Sequence, residues 1–336
     1  MKHYLFLILI STICLSAKAF TEVELMVYNK DAGITLGGTL VVPQDRPKAA
    51  LVMATGSGQQ NRDEEILGHR PFKRIAEYLG ERGYAVLRLD DRGIGASGGE
   101  FKGSTNADFV TDISAAVAYV DSLYKGCVPV GVLGHSEGGT TAIKIGAHNS
   151  LCRFIITLAA PAWPGDSIVM SQTRAIAVGQ TGRWDAEPIQ RRILDYAKGN
   201  LSVAIAQSMI IQTLAEQVGP EAAKLPQVQE QFVAAANVML SPWYREFMRY
   251  NPEKDIKAVN IPWLALNGSK DVQVVVENLA TIRELNTNVT TVVLKDHNHL
   301  FQHCTSGLTD EYASLPEDIS EETLTIISEW LDANCK

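Results

Sequence analysis

From Glu22 the chain alternates, with Val23, Leu25 and Val27 on one face and Glu22, Glu24 and Met26 on the other. Asp31-Ala-Gly33 interrupts the run, and Ile34 to Pro43 alternates again, which is the pattern of an antiparallel hairpin at the edge of a sheet. Ala49 to Thr55, Tyr84 to Asp90 and Phe154 to Ala160 are instead continuously apolar, as strands covered on both faces are. Helical spacing lies between them. Phe72, Ile75, Ala76 and Leu79 follow Pro71, which suits a first helical position, and Ile113, Ala116, Val117 and Val120 form one stripe behind Thr105 and Asp108, a capping pair. Strands that alternate with helices through short links predict an α/β fold built on a doubly wound, mostly parallel sheet.

The alternation stops between Pro161 and Val259. This stretch has no buried-strand run and is rich in alanine, glutamine and glutamate, with helical segments expected near 167–178, 186–218 and 221–239. It reads as a helical cap, residues 161–259, inserted between two parts of one core, 20–160 and 260–336. The sheet rhythm resumes with strands at 261–267 and 289–294, a helix near 274–285 and a final amphipathic helix carrying Leu324, Ile327, Trp330 and Leu331.

The stretch with the most chemistry is Val128 to Gly139, where a short apolar strand breaks on Gly134-His-Ser-Glu-Gly138 and runs straight into a helical pattern. A serine at the apex of such a turn has its hydroxyl pushed clear of the sheet, and the flanking glycines let the neighbouring backbone approach. Ser136 is therefore the candidate nucleophile. A hydroxyl needs a base, and the base needs a group to hold its tautomer. Asp271 follows the strand at 261–267, and His297, His299 and His303 follow the strand at 289–294. His299 is favoured because Leu300 and Phe301 after it can pack and fix the ring. Backbone N–H groups of Glu137 and of the loop after the strand at 49–55, at Ser57 or Gly58, are the candidate oxyanion donors. Gln59, His135, Trp243 and Phe247 are the candidate pocket residues, although Trp243 and its aromatic neighbours serve equally as packing inside the helical segment. Asp90, Asp91 and Arg92 read as an ion pair that braces a loop. The spacing H-x-H-x-x-x-H could hold a metal, but one of its histidines is already used by the serine chemistry, and no metal or cofactor is expected.

Composition narrows the class. The chain has 336 residues, 46% of them apolar, and a net charge of −8, with no basic stripe to hold nucleic acid. Its N-terminus combines Lys2, an apolar run and Ala17-Lys18-Ala19, the pattern of a signal peptide over 1–19 cleaved near Ala19. Cleavage would leave a chain of about −10, exported to a periplasmic or extracellular location, with no membrane anchor. Of the 5 cysteines, Cys14 lies in that segment. Cys127 and Cys152 stand near the starts of adjacent parallel strands, so a bridge between them is expected, leaving Cys304 and Cys335.

With these residues together, the chain resembles the α/β-hydrolase superfamily over nearly its whole length beyond residue 19. Gly56-Ser-Gly58, Asp91 to Ser97, Gly134 to Gly138, Asp271 and His299 occur in that family's order. Thr55 to Asp63, Ser241-Pro-Trp243, Asp271 to Val274 and Asn298 to Gln302 are similar to a bacterial branch described as carboxylesterase-like or serine-aminopeptidase-like. The resemblance implies a Ser136–His299–Asp271 triad acting on a small ester, and it supports His299 over His297. It leaves open an amide substrate such as a short peptide, and a silent binding protein on the same scaffold. The chain departs at Thr55, where many relatives carry histidine, so the bracing of the oxyanion loop needs another explanation.

Overall fold

The computed structural model describes residues 19–335, and most of the expected signal peptide, Cys14 included, lies outside them. Eight strands form one sheet in the order β1-β2-β4-β3-β5-β6-β7-β8. They are β1 (Phe20–Asn29), β2 (Ile34–Pro43), β3 (Ala50–Ala54), β4 (Ala85–Leu89), β5 (Val130–His135), β6 (Cys152–Leu158), β7 (Trp263–Gly268) and β8 (Val289–Leu294). The hairpin β1–β2 and its pairing to β4 are antiparallel, whereas every pairing from β4 to β8 is parallel. The burial follows that division: β3 and β4 are buried throughout, whereas the edge strand β1 is exposed on both faces over residues 21–24, Val23 included, and buries Val27 and Asn29 further on.

Helices cover both faces. On one side α2 (Asn106–Leu123) and α3 (Glu137–His148) bury Ile113, Val117, Ala142 and Ile143 against the sheet, and α10 (Glu277–Leu285) adds Leu279 and Ile282. On the other, α1 (Pro71–Gly80) and α11 (Glu321–Asn334) contribute Phe72, Ile75, Leu79, Leu324, Ile327 and Leu331. Each fully buried side chain of this kind contributes about 1.5–3 kcal/mol. The α2 start carries the expected cap, with the Thr105 N–H donating to Asp108 at 2.9 Å. Ser320 caps α11 by accepting the Thr323 N–H at 3.1 Å.

Between β6 and β7 the chain is helical: α4 (Gly165–Thr181), α5 (Glu187–Lys198), α6 (Val203–Val218), α7 (Pro226–Met239), α8 (Pro242–Arg249) and α9 (Glu253–Ala258). Val169, Ile193, Ala206, Ile210, Ala236 and Met248 give this segment a core of its own. The single helix expected over 186–218 is two, because Gly199 ends α5 and Ser202 caps α6 by accepting the Ile205 N–H. Among the described residues no helix is long and apolar enough to cross a membrane.

The expected disulfide is absent. Val130, not Cys127, is the residue paired with Cys152 across β5 and β6, so Cys127 stands three residues upstream in the preceding turn. Cys127 is exposed with its Sγ toward the Lys125 carbonyl, while Cys152 is buried with its Sγ toward the Phe154 carbonyl. Cys304 and Cys335 are likewise free thiols.

Candidate active site

The parallel strands end at one edge, and the candidate residues come from the loops beyond those ends. Ser136 follows β5 directly, at φ 54 and ψ −118, and α3 starts at the next residue. Its left-handed backbone is sustained by neighbours that tolerate no side chain. A Cβ on Gly134 would run into the Gly138 carbonyl, and one on Gly138 into the Ala54 carbonyl. The Ser136 N–H donates to Leu158 at the end of β6 at 2.8 Å, which fixes the turn from the other side. Glu137, the first residue of α3, points its backbone N–H from the positive end of the helix dipole.

Asp271 and His299 meet across the ends of β7 and β8. Their loops are stitched together by the Lys270 N–H donating to His297 at 2.9 Å. The Asp271 carboxylate is held by the backbone N–H groups of Gln273 (2.8 Å) and Val274 (2.9 Å), and its other oxygen accepts from His299 Nδ1 at 2.7 Å. An ionised carboxylate can only accept, so Nδ1 carries a proton, and in the neutral ring that tautomer leaves the lone pair on Nε2. Leu300 and Phe301 are buried in the same loop, Phe301 at a φ of 61 and with its ring edge-on to His135, centroids 6.5 Å apart. His297 is differently employed: its Nδ1 contacts the Lys295 carbonyl (2.7 Å) and its Nε2 the Ser320 hydroxyl (2.8 Å). His297, His303 and Glu322 do converge, but both nitrogens of His297 are already occupied.

Ser136 and His299 line one cavity of about 420 Å³. Its roof is α4, through Ile168, Val169 and Gln172, and α8, through Trp243, Tyr244 and Phe247. Its floor includes Gly56, Ser57, Gln60, Glu64, His135 and Glu137. Among the described residues no lysine or arginine lines it. Gln59 is a correction to the sequence-based expectation: it is exposed and outside the wall, and Gln60, its N–H held by Asp91 after the turn at Gly58, takes its place. Gly58 itself is exposed, while Ser57 reaches the cavity.

Two acids hold the candidate oxyanion loop where Thr55 stands in place of a histidine: Asp91, half-buried, and Glu64, fully buried. Asp91 accepts from the Thr55 hydroxyl at 2.6 Å and the Gln60 N–H at 2.9 Å. Glu64 accepts from the Gly56 N–H at 2.6 Å. The Glu137 side chain takes the Trp243 indole N–H at 2.9 Å and the Asn106 amide at 3.4 Å. Burial raises the carboxyl pKa of Glu137 and pushes that of Asp91 up to about 7. Asp90, Asp91 and Arg92 do not pair with one another as expected. Asp90 binds Arg62 at 2.7 Å, and Arg92 binds Asp112 at 2.7 Å across α2. Glu64, Gln60, Asn106, Tyr244 and Tyr312 went unseen in the sequence. Glu64 lies in Asn61-Arg-Asp-Glu-Glu65, where nothing local tells which acid turns inward.

The sheet order, the strained serine turn and the acid–histidine pair at its carboxyl edge define an α/β-hydrolase fold. Comparisons agree with that class. Residues 68–194 match the family model described as serine aminopeptidase, S33. An esterase of Thermotoga maritima is 26% identical over 83% of this chain, which spans 63% of that relative's length. Among solved structures, an esterase of Pyrococcus furiosus superposes with a TM-score of 0.60 at 16% identity, covering 98% of this chain and 97% of the other. An α/β hydrolase of Penicillium gives a TM-score of 0.57 at 17% identity, covering 94% and 99%. The chain has the α/β-hydrolase fold, and its relatives include esterases.

Proposed function

We propose that the protein is an exported serine hydrolase that cleaves carboxylic esters through an acyl-enzyme. The observation that carries this reading is the 2.7 Å pair of Asp271 Oδ2 and His299 Nδ1, which frees Nε2 as a base beside the cavity that Ser136 enters. Ser136 Oγ attacks the ester carbonyl while His299 Nε2 takes its proton. The tetrahedral oxyanion is received by the backbone N–H of Glu137 and by the loop at Ser57–Gly58, where preorganised donors are each worth about 3–4 kcal/mol in a desolvated site. His299 then gives its proton to the departing alcohol, leaving the acyl group on Ser136. Water, activated by the same nitrogen, releases the acid and restores the serine.

The wall of aromatic, aliphatic and amide side chains, with Glu64 and Glu137 at its floor and no lysine or arginine among the described residues, suits an uncharged acyl group of moderate size. The esterase relatives favour ester over amide substrates. A second reading, an aminopeptidase using the same residues, draws on the description of the matched family model. Export with cleavage near Ala19 rests on the leader pattern alone.

Labelling with a fluorophosphonate tests the mechanism: wild type is labelled and Ser136→Ala is not. Turnover of nitrophenyl esters against amino-acyl nitroanilides separates the two readings, and faster anilide cleavage overturns the ester assignment. N-terminal sequencing of protein recovered from the periplasm or medium tests export, with Phe20 expected as the first residue.

A further inference from the structure

The residue before the candidate nucleophile takes part in a second buried acid–histidine pair. His135 Nδ1 lies 2.9 Å from Glu64 Oε1, and both side chains are buried. That same oxygen accepts the Gly56 N–H at 2.6 Å, while the other carboxylate oxygen has no partner among the described residues. On the far side of the ring, His135 Nε2 lies 3.0 Å from the backbone carbonyl of His299. A carbonyl only accepts, so Nε2 carries a proton. Nδ1 faces an acceptor that carries the compensating charge, so it carries one as well. His135 is therefore an imidazolium in direct contact with the base loop, its ring 4.7 Å from that of His299.

We propose that Glu64 and His135 form a buried charged brace that fixes the oxyanion loop and the base loop to the strand end bearing Ser136. Both are positioning residues, acting through the Gly56 N–H and through the His299 backbone. The proposal rests on the serine-hydrolase reading above. One chain of contacts, Gly56–Glu64–His135–His299, joins the loops after β3 and β8 to the end of β5. Glu64 stands at φ 51, so the backbone bends to deliver its carboxylate to this position. Burial opposes the charge on His135, but Glu64, the His299 carbonyl and Asp271 outweigh it and hold the imidazolium above the ordinary histidine range. The titratable groups facing the ring are thus Glu64 from the loop after β3, Asp271 from the loop after β7 and His299 from the loop after β8. Deprotonation at alkaline pH would turn a lone pair of Nδ1 against Glu64 and open the brace.

Glu64→Gln is the decisive variant, because the amide keeps an oxygen for Gly56 and removes the charge. The expected result is a fall in kcat of about 10- to 100-fold at pH 8, the scale of a misplacement of about 1 Å, with KM within about twofold of wild type. The alkaline limb of the kcat profile moves to lower pH. His135→Gln, which can still donate to the His299 carbonyl, loses the alkaline limb altogether, and the double variant is no slower than the worse single one, as members of one unit behave. If Glu64→Gln does not fold, His135→Gln decides alone. A wild-type kcat profile in the variant that folds, or an effect on KM only, overturns the brace. Fluorophosphonate labelling of wild type separates the two levels: an unlabelled wild type sinks the serine-hydrolase reading, whereas a labelled wild type with an unshifted Glu64→Gln profile sinks the brace alone.

Discussion

The indole Nε1 of Trp243 lies 2.9 and 3.0 Å from the two carboxylate oxygens of Glu137, so a side chain of α8 grips the residue that follows Ser136. Glu137 is thereby used twice, its backbone N–H as a candidate oxyanion donor and its side chain as the anchor of the helical roof. The stacked pair of Trp243 and Phe247, with centroids 6.0 Å apart, extends that anchor along α8. Trp243→Phe keeps the ring and the stacking but leaves a buried carboxylate short of a donor. Loss of one hydrogen bond to a buried charged group costs about 1–3 kcal/mol. Thermal unfolding should report that loss, and ester kinetics should show a raised KM as the roof loosens. Unchanged values of both would mean that the indole N–H contributes nothing.

The two histidines at the end of β8 should separate cleanly by function. Asp271→Asn leaves the shape of the site but allows the wrong tautomer of His299, and kcat should fall by about 10^4-fold with the fold intact. His297→Ala removes the contacts to Lys295 and Ser320 and should cost about 1–3 kcal/mol of stability. It should nevertheless keep fluorophosphonate labelling of Ser136. If His297→Ala abolishes labelling in folded protein while His299→Ala does not, the base has been assigned to the wrong residue.

The free thiols differ in a way that native alkylation reads directly. Cys127 is exposed, while Cys152 is buried beneath α3 and its thiol is pushed up to about 12 by that burial. The thiolate attacks iodoacetamide and displaces iodide, so native protein should take label at Cys127 and remain unlabelled at Cys152 until denatured. Peptide mass mapping after alkylation checks both sites. A Cys127–Cys152 disulfide peptide from unreduced protein would overturn the free-thiol assignment.

Elements with a strong local signal were legible in the chain itself. The strand over 289–294 occurs with the expected bounds, and the α2 cap at Thr105 and Asp108 forms as its spacing implied. Ser136, Asp271 and His299 were reachable because each follows a recognisable strand on a glycine- or polar-rich turn. The break between α5 and α6 was written in Gly199 and Ser202, but the apolar periodicity on either side concealed it. The residues that went unseen are held by tertiary contact alone. Glu64 and Glu65 are neighbours of identical chemistry, yet only Glu64 is buried. Gln60 likewise lines the cavity where Gln59 does not, its N–H held by Asp91 after the turn at Gly58.

Asp91 makes the oxyanion loop sensitive to pH, with a sign opposite to that of a salt-bridged acid. Burial raises its pKa from 3.8 to about 7, and the nearby Glu64 and Glu137 carboxylates push it further the same way, against the bonds from Thr55 and Gln60. An acid with a folded pKa above its unfolded one binds more protons when folded, so its stabilising contribution is full below the unfolded value and is lost as pH rises. For Asp91 the loss runs between 3.8 and about 7, and above that the folded protein carries the whole cost of a buried charge. At about 1.4 kcal/mol per pKa unit, the change is on the order of 4 kcal/mol across the window. Asp91→Asn imitates the neutral acid, since its oxygen can accept the Gln60 N–H and its amide can donate to the Thr55 hydroxyl. Other carboxylates titrate in the same range, so the useful quantity is the difference between variant and wild type. Urea midpoints at pH 5 and pH 8 should show Asp91→Asn gaining on wild type as pH rises, by a few kcal/mol at most. Parallel stability curves would mean that Asp91 keeps an ordinary acidity beneath the loop, and that Thr55 and Gln60 are enough to hold its charge.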